Sequence, residues 1–126
     1  MRALLDTSVV IATDVGPLEG ELAVSAATLA ELHFGVLVAR DPNTRAERLR
    51  RLSILQRKFD ALPLDEAVTA SYGQLAAAVV DAGRQPRART MNLIIAATAH
   101  THSARLYTRN ANDFIGADTL VDIVPV

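Results

Sequence analysis

Short apolar runs alternate along this chain with longer stretches in which apolar residues recur every three or four positions. The short runs read as buried strands and the longer period as helices. Residues 2–5, Arg2-Ala3-Leu4-Leu5, give a brief strand, residues 7–13 a short helix, and Asp14-Val15-Gly16-Pro17 a turn. Residues 22–25 form a second strand, and Ser25 caps a helix that runs to about Arg40, where Asp41-Pro42-Asn43 stops it. Residues 44–60 form a charged helix with Leu49, Leu52 and Leu55 along one stripe. Residues 61–64 form a third strand, and Asp65 caps an alanine-rich helix that ends near Ala82, closed by Gly83. A basic loop follows over residues 83–89. Residues 92–101 make a helix with almost no polar face, which should lie against a sheet. Residues 105–108 give a fourth strand and 121–124 a fifth. Strands alternating with helices imply right-handed crossovers, hence a three-layer α/β/α domain around a central parallel sheet of four to five strands. With no repeat, low-complexity tract or linker, residues 1–126 read as one domain.

Composition narrows the class. Half the residues are hydrophobic, 21% are charged and the formal net charge is −1, which excludes a disordered chain and a binder working by bulk positive charge. Without cysteine there is no disulfide framework, thiol catalysis or cysteine zinc site. Asp6 breaks the apolar start of the chain, so a secretory leader is not expected. The charge-free stretch over 91–99 is far short of the ~20 residues of a membrane span. A cytoplasmic protein is expected.

Function in open parallel sheets sits outside the carboxyl ends of the strands, so polar residues there carry the interest. Asp6 follows the first strand at once, and could equally cap the next helix. Glu31 lies in a helix that is apolar nearly all round, and its neighbours at three and four positions, Ala27, Thr28, Phe34 and Gly35, offer it no cation. A lone buried carboxylate is costly unless compensated. The bland alternative is a capping box with Thr28, which would require the helix to start there rather than after Ser25. Asn92 heads the apolar run of the last helix, where Asn is an ordinary cap. Asp113 lies in an Asn-rich turn beyond the fourth strand, again ordinary chemistry when taken alone. Together the acids suggest an oxygen-rich pocket of the kind Mg²⁺ or Mn²⁺ fills.

These stretches in order, Leu4-Leu5-Asp6-Thr7-Ser8, Ser25-x-x-Thr28-x-x-Glu31-Leu32, Ile95-Ala96-Ala97-Thr98-Ala99 and Thr108-Arg109-Asn110-x-x-Asp113-Phe114, resemble the PIN domain, and in particular the VapC toxins of bacterial type II toxin–antitoxin pairs. The resemblance spans essentially the whole chain. It implies a metal-dependent ribonuclease that cleaves RNA of the tRNA or rRNA class, works as a homodimer and is silenced by a VapB-type antitoxin. It maps Asp6, Glu31 and Asp113 onto three of the family's four acids. At the fourth, this chain has Asn92 in place of the usual Asp. Asn keeps the shape and one acceptor oxygen but removes a full negative charge, which implies weak metal binding and slow or absent cleavage. On this resemblance Asp6 and the Asn92 position ligate Mg²⁺ or Mn²⁺ directly, Asp113 is a further metal ligand, and Glu31 and Asp113 orient water. Thr7, Thr108 and Asn110 are candidate supporting donors, each with an equally good reading as turn or cap chemistry.

Basic residues are segregated. Arg84, Arg87, Arg89, Arg105 and Arg109 fall between Asp81 and Asp113 with no acid among them. Arg84, Arg87 and Arg89 precede Asn92 and are candidates for gripping an RNA backbone. Arg45, Arg48, Arg50, Arg51, Arg57 and Lys58, with only Glu47 against them, read better as a solvated helix face. His33 reads as a core or interface residue, while His100 and His102, two apart, cannot share a metal. Rival readings are a non-catalytic PIN-like module that binds RNA or antitoxin, a structural protein, and a phospho-receiver domain, for which the only lysine, Lys58, is in the wrong place.

Overall fold

The computed structural model describes all residues from Met1 to Val126. Along β1 (Arg2–Leu5) alternate side chains part to the two sides of the sheet: Leu4 enters one hydrophobic cluster, Ala3 and Leu5 the other. The same alternation splits Leu106 from Tyr107 on β4 (Arg105–Thr108). Strands buried on both faces need helices on both, and the chain supplies them. On the Leu4 side, α4 (Glu66–Asp81) and α5 (Thr90–Thr101) pack Val68, Leu75, Val79, Leu93 and Ile95 into the larger cluster. On the other side, α1 (Thr7–Val10) brings Val9, and α3 (Pro42–Lys58) brings Leu55. Leu29 and Leu32 of α2 (Ala26–Val38) pack against that smaller cluster.

The sheet has five parallel strands in the order β3-β2-β1-β4-β5, with β2 at Glu21–Ser25, β3 at Ala61–Leu62 and β5 at Ile123–Pro125. This is the three-layer α/β/α architecture the pattern implies. From β1 the chain moves outward to β2 and β3, then returns to the opposite side of β1 with β4. The order therefore reverses between β1 and β4, which makes the carboxyl edge there the switch point at which such sheets place their sites. It also departs from a receiver-type sheet, in which the third strand lies beside the first.

Several boundaries differ from the expected ones, each for a physical reason. The first helix ends at Val10 instead of residue 13, with Ile11 closing it. Asp41-Pro42 is a start and not a stop: the Asp41 carboxylate accepts from the Thr44 N–H at 3.0 Å, and Pro42 takes the first helical position, where its missing N–H costs nothing. The third strand pairs only at Ala61 and Leu62, because Pro63 cannot donate to the ladder. Pro86–Arg89 is a 3-10 turn rather than loop and runs directly into α5, so that Asn92 is the third residue of that helix and not its cap. The last strand starts at Ile123, two residues later than expected, after a 3-10 turn at Ala117–Thr119.

The second helix is not apolar because it is buried all round. Ser25 caps it as expected, but Phe34, Leu37 and Val38 are exposed, and so is His33, which is not a core residue. No helix is long and apolar enough to cross a membrane.

Candidate active site

The carboxyl ends of β1 and β4 are tied together by a chain of hydrogen bonds. Asp6, one residue past β1, is 4% exposed, and its carboxylate accepts from the Ser8 N–H at 2.5 Å and from the Thr108 hydroxyl at 2.5 Å. The first bond is the helix cap anticipated for Asp6; the second crosses to the end of β4. One carboxylate thus does both jobs. Thr108, fully buried, accepts in turn from the Asn110 N–H at 3.0 Å. The Ser8 hydroxyl accepts from the Arg109 N–H at 3.0 Å and lies 3.5 Å from the Thr108 hydroxyl.

Glu31 joins from the neighbouring strand's helix. It is half-buried, and the Thr7 hydroxyl donates to Glu31 Oε1 at 2.6 Å, with the buried Thr28 hydroxyl 3.1 Å from the same Thr7 oxygen. The capping-box alternative fails, because the helix begins at Ala26 under Ser25. Thr7 is the chain neighbour of Asp6, so the Glu31–Thr7–Thr28 cluster adjoins the Asp6–Thr108–Asn110 cluster along the backbone, with no hydrogen bond between the two.

Asp113 is held differently. It sits in the 3-10 turn Ala111–Phe114, its N–H bonds to the Asn110 carbonyl, and its carboxylate is ion-paired with Arg89. Asn92 is half-buried in the first turn of α5. Arg84 and Arg89 line, with Asp113, a cavity of about 220 Å³, whereas Arg87 stands outside it on the exposed side of its turn. No group of three His, Asp or Glu side chains is gathered so as to hold a metal ion.

Ser8 stands out in the sequence only within the Asp6-Thr7-Ser8 motif, and Thr28 only as a motif residue and a capping-box partner for Glu31, not as a neighbour of Thr7. Their roles depend on contacts 21 and 100 positions distant in sequence, and only the adjacency of β1, β2 and β4 makes them visible.

The fold and this cluster define a class: a small parallel α/β domain with acidic side chains at the switch point of its sheet. The chain belongs to the PIN-domain family, whose model matches residues 3–118. It is 40% identical over 100 residues to ribonuclease VapC8 of Mycobacterium tuberculosis, covering 76% of this chain and 88% of that protein. It is 34% identical over 121 residues to ribonuclease VapC5 of the same organism, covering 91% and 87%. The crystal structure of VapBC-5 from Mycobacterium tuberculosis, a member of the VapBC family of toxin–antitoxin systems, matches with a TM-score of 0.84 at 31% identity, covering 99% of this chain and 97% of that one.

Proposed function

We propose that the protein is a VapC-type endoribonuclease toxin, dependent on Mg²⁺ or Mn²⁺, acting on RNA of the tRNA or rRNA class as a homodimer and kept silent by a VapB-type antitoxin. The observation that carries the reading is Asp6. A carboxylate this buried ordinarily has a cation against it, yet Asp6 is met only by an N–H and a hydroxyl, and none of the ion pairs involves it. Oxygen donors with residual negative charge suit a hard divalent cation. The donor set therefore fits such an ion in kind, though it is short of charge: position 92 is an amide, and Arg89 already offsets Asp113.

Hydrolysis forms a bond from water oxygen to phosphorus and breaks the bond to the leaving sugar oxygen. A divalent ion supplies charge neutralisation at the phosphate and a more acidic water. Asp6, Asn92 and Asp113 are the residues that would hold it. Thr108 and Ser8 fix the Asp6 carboxylate in one orientation, and Asn110 fixes Thr108. Glu31, steadied by Thr7 and reached by solvent, orients the attacking water. Arg84, Arg87 and Arg89 draw the backbone of the strand toward the acids.

The charge deficit also favours a second reading, a PIN-like module that binds RNA or antitoxin without cutting. One series separates the two. Asn92→Asp is expected to tighten Mn²⁺ binding by calorimetry and raise cleavage of total cellular RNA by at least about tenfold. Glu31→Gln placed in that variant should abolish most of the gain. If Asn92→Asp neither binds Mn²⁺ nor cuts RNA, the nuclease reading is wrong and the binding module stands.

A further inference from the structure

The arginines of α3 do not simply face water. Arg48 reaches across to α2 and donates to the Gly35 carbonyl at 2.7 Å, while Arg51 reaches toward the end of α1 and lies 3.5 Å from the Ile11 carbonyl. Both side chains thereby line a cleft of about 390 Å³ together with Thr7 and Glu31, the pair that reaches the Asp6 end of the sheet. This cleft shares no residue with the cavity lined by Arg84, Arg89 and Asp113.

Neither arginine has a carboxylate partner: the ion pairs of the chain engage Arg89, Arg105 and Arg109. A guanidinium has five N–H donors, and one contact to a carbonyl leaves most of that fork open at each position. Two guanidiniums outside any ion pair, against the single acid Glu31 in the lining of the same cleft, leave it a net positive charge and call for an anion that approaches that carboxylate. Planar guanidinium forks match phosphate oxygens in pairs. With aromatic residues only 4% of the chain, base stacking has little to work with, which favours recognition of the backbone over the bases.

We propose that Arg48 and Arg51 form a phosphate-binding wall that seats a single RNA strand against Glu31. It is a second electrostatic contact besides the one offered by residues 84–89, and it rests on the nuclease reading above. The test is fluorescence anisotropy of a labelled single-stranded RNA oligonucleotide with the full chain in EDTA, where no cleavage intervenes. The Arg48→Gln/Arg51→Gln double variant should raise Kd at least fivefold at low salt, a rough expectation, and lower the slope of log Kd against log salt by about 1.4, two contacts at about 0.7 each. Arg48→Lys/Arg51→Lys should keep most of that slope. If the loss came instead from the broken contacts to Gly35 and Ile11, the lysine variant would lose it too, and the assignment would be wrong. Arg57→Gln/Lys58→Gln, at the far end of α3, should change Kd less than twofold, a rough bound; an equal loss there would mean only diffuse charge is at work and overturns the proposal. Displacement of the RNA by poly-glutamate at equal charge would assign the cleft to acidic peptide. If the unmodified chain binds no RNA, the nuclease reading itself falls and takes this wall with it. If it binds and the Gln double variant binds equally, only the wall falls.

Discussion

Thr108 has no accessible surface, yet its hydroxyl donates to Asp6 and accepts from Asn110. Replacing it by Val keeps the volume and removes both bonds. Asp6 would then keep a single protein donor while remaining buried, and the Asn110 N–H would lose its acceptor. Leaving such groups unpaired costs about 1–3 kcal/mol, so Thr108→Val should lower unfolding free energy by that amount in urea titrations. Thr108→Ser, which retains the hydroxyl, should lose less than half as much. A loss for Thr108→Ser as large as or larger than that for Thr108→Val would show that the methyl group and its packing contribute at least as much as the hydroxyl. The contrast with Asp113 is instructive. That carboxylate is about a third exposed and carries its own arginine, so solvent and Arg89 compensate it, and its burial makes no comparable demand.

At the scale of elements, a tight constraint lies between the 3-10 turns Ala111–Phe114 and Ala117–Thr119, where the chain passes against α4. Gly116 has φ of +97°, and a Cβ there would lie 2.8 Å from the Val79 Cα and 3.3 Å from the Ala78 carbonyl. Backbone on both sides leaves nothing flexible to move aside. Gly116→Ala should therefore cost more than about 2 kcal/mol, combining conformational strain with the clash. Gly83→Ala offers a control by thermal melting: φ is +80° but the space around it is open, so only the strain should be felt. Similar losses for the two would mean the approach to α4 is unimportant.

Elements were legible to different degrees. Arg2–Leu5 and Arg105–Thr108 were readable to the residue, since short apolar runs bounded by polar residues admit little else. Ser25 and Asp65 were readable as caps because their side chains bond within two or three positions. Asp41-Pro42 is ambiguous in the sequence, since the same dipeptide can end one helix or begin the next, and here it begins α3. The apolar surround of α2 predicted burial, but Phe34 is 67% and Leu37 75% exposed: hydrophobicity says that a face avoids water, not what covers it. Of the site, Glu31 is visible as an acid without a local cation, and Asp6 by its place directly after the first strand. Thr7 and Thr108 are visible as candidate supporting donors, but not which acid each one meets, because the bonds join segments that only the strand order makes neighbours.

For the molecule as a whole, a net charge of −1 conceals a separation of charge. Asp6, Glu31 and Asp113 each follow the carboxyl end of a different strand or sit in the helix after it, and arginines line the cavities that contain Glu31 and Asp113. This separation ties global stability to what occupies the edge. On the shared site that the nuclease reading proposes, Asn92→Asp adds, without metal, a negative charge to Asp6, Glu31 and Asp113, with Arg89 as partial relief. In EDTA the variant should therefore be less stable than the parent chain, by on the order of 1 kcal/mol at the effective dielectric of a partly buried site. A ligand that binds only the folded state stabilises it by mass action, about 2.7 kcal/mol at one hundred times its Kd. Adding Mn²⁺ at that ratio should thus reverse the order, lifting Asn92→Asp above the parent, whose own melting temperature should move little because its site lacks the fourth charge. The sign change is the diagnostic part. A general salt effect would shift both proteins together, and a variant that is stabilised in EDTA would show that the acids do not share a site.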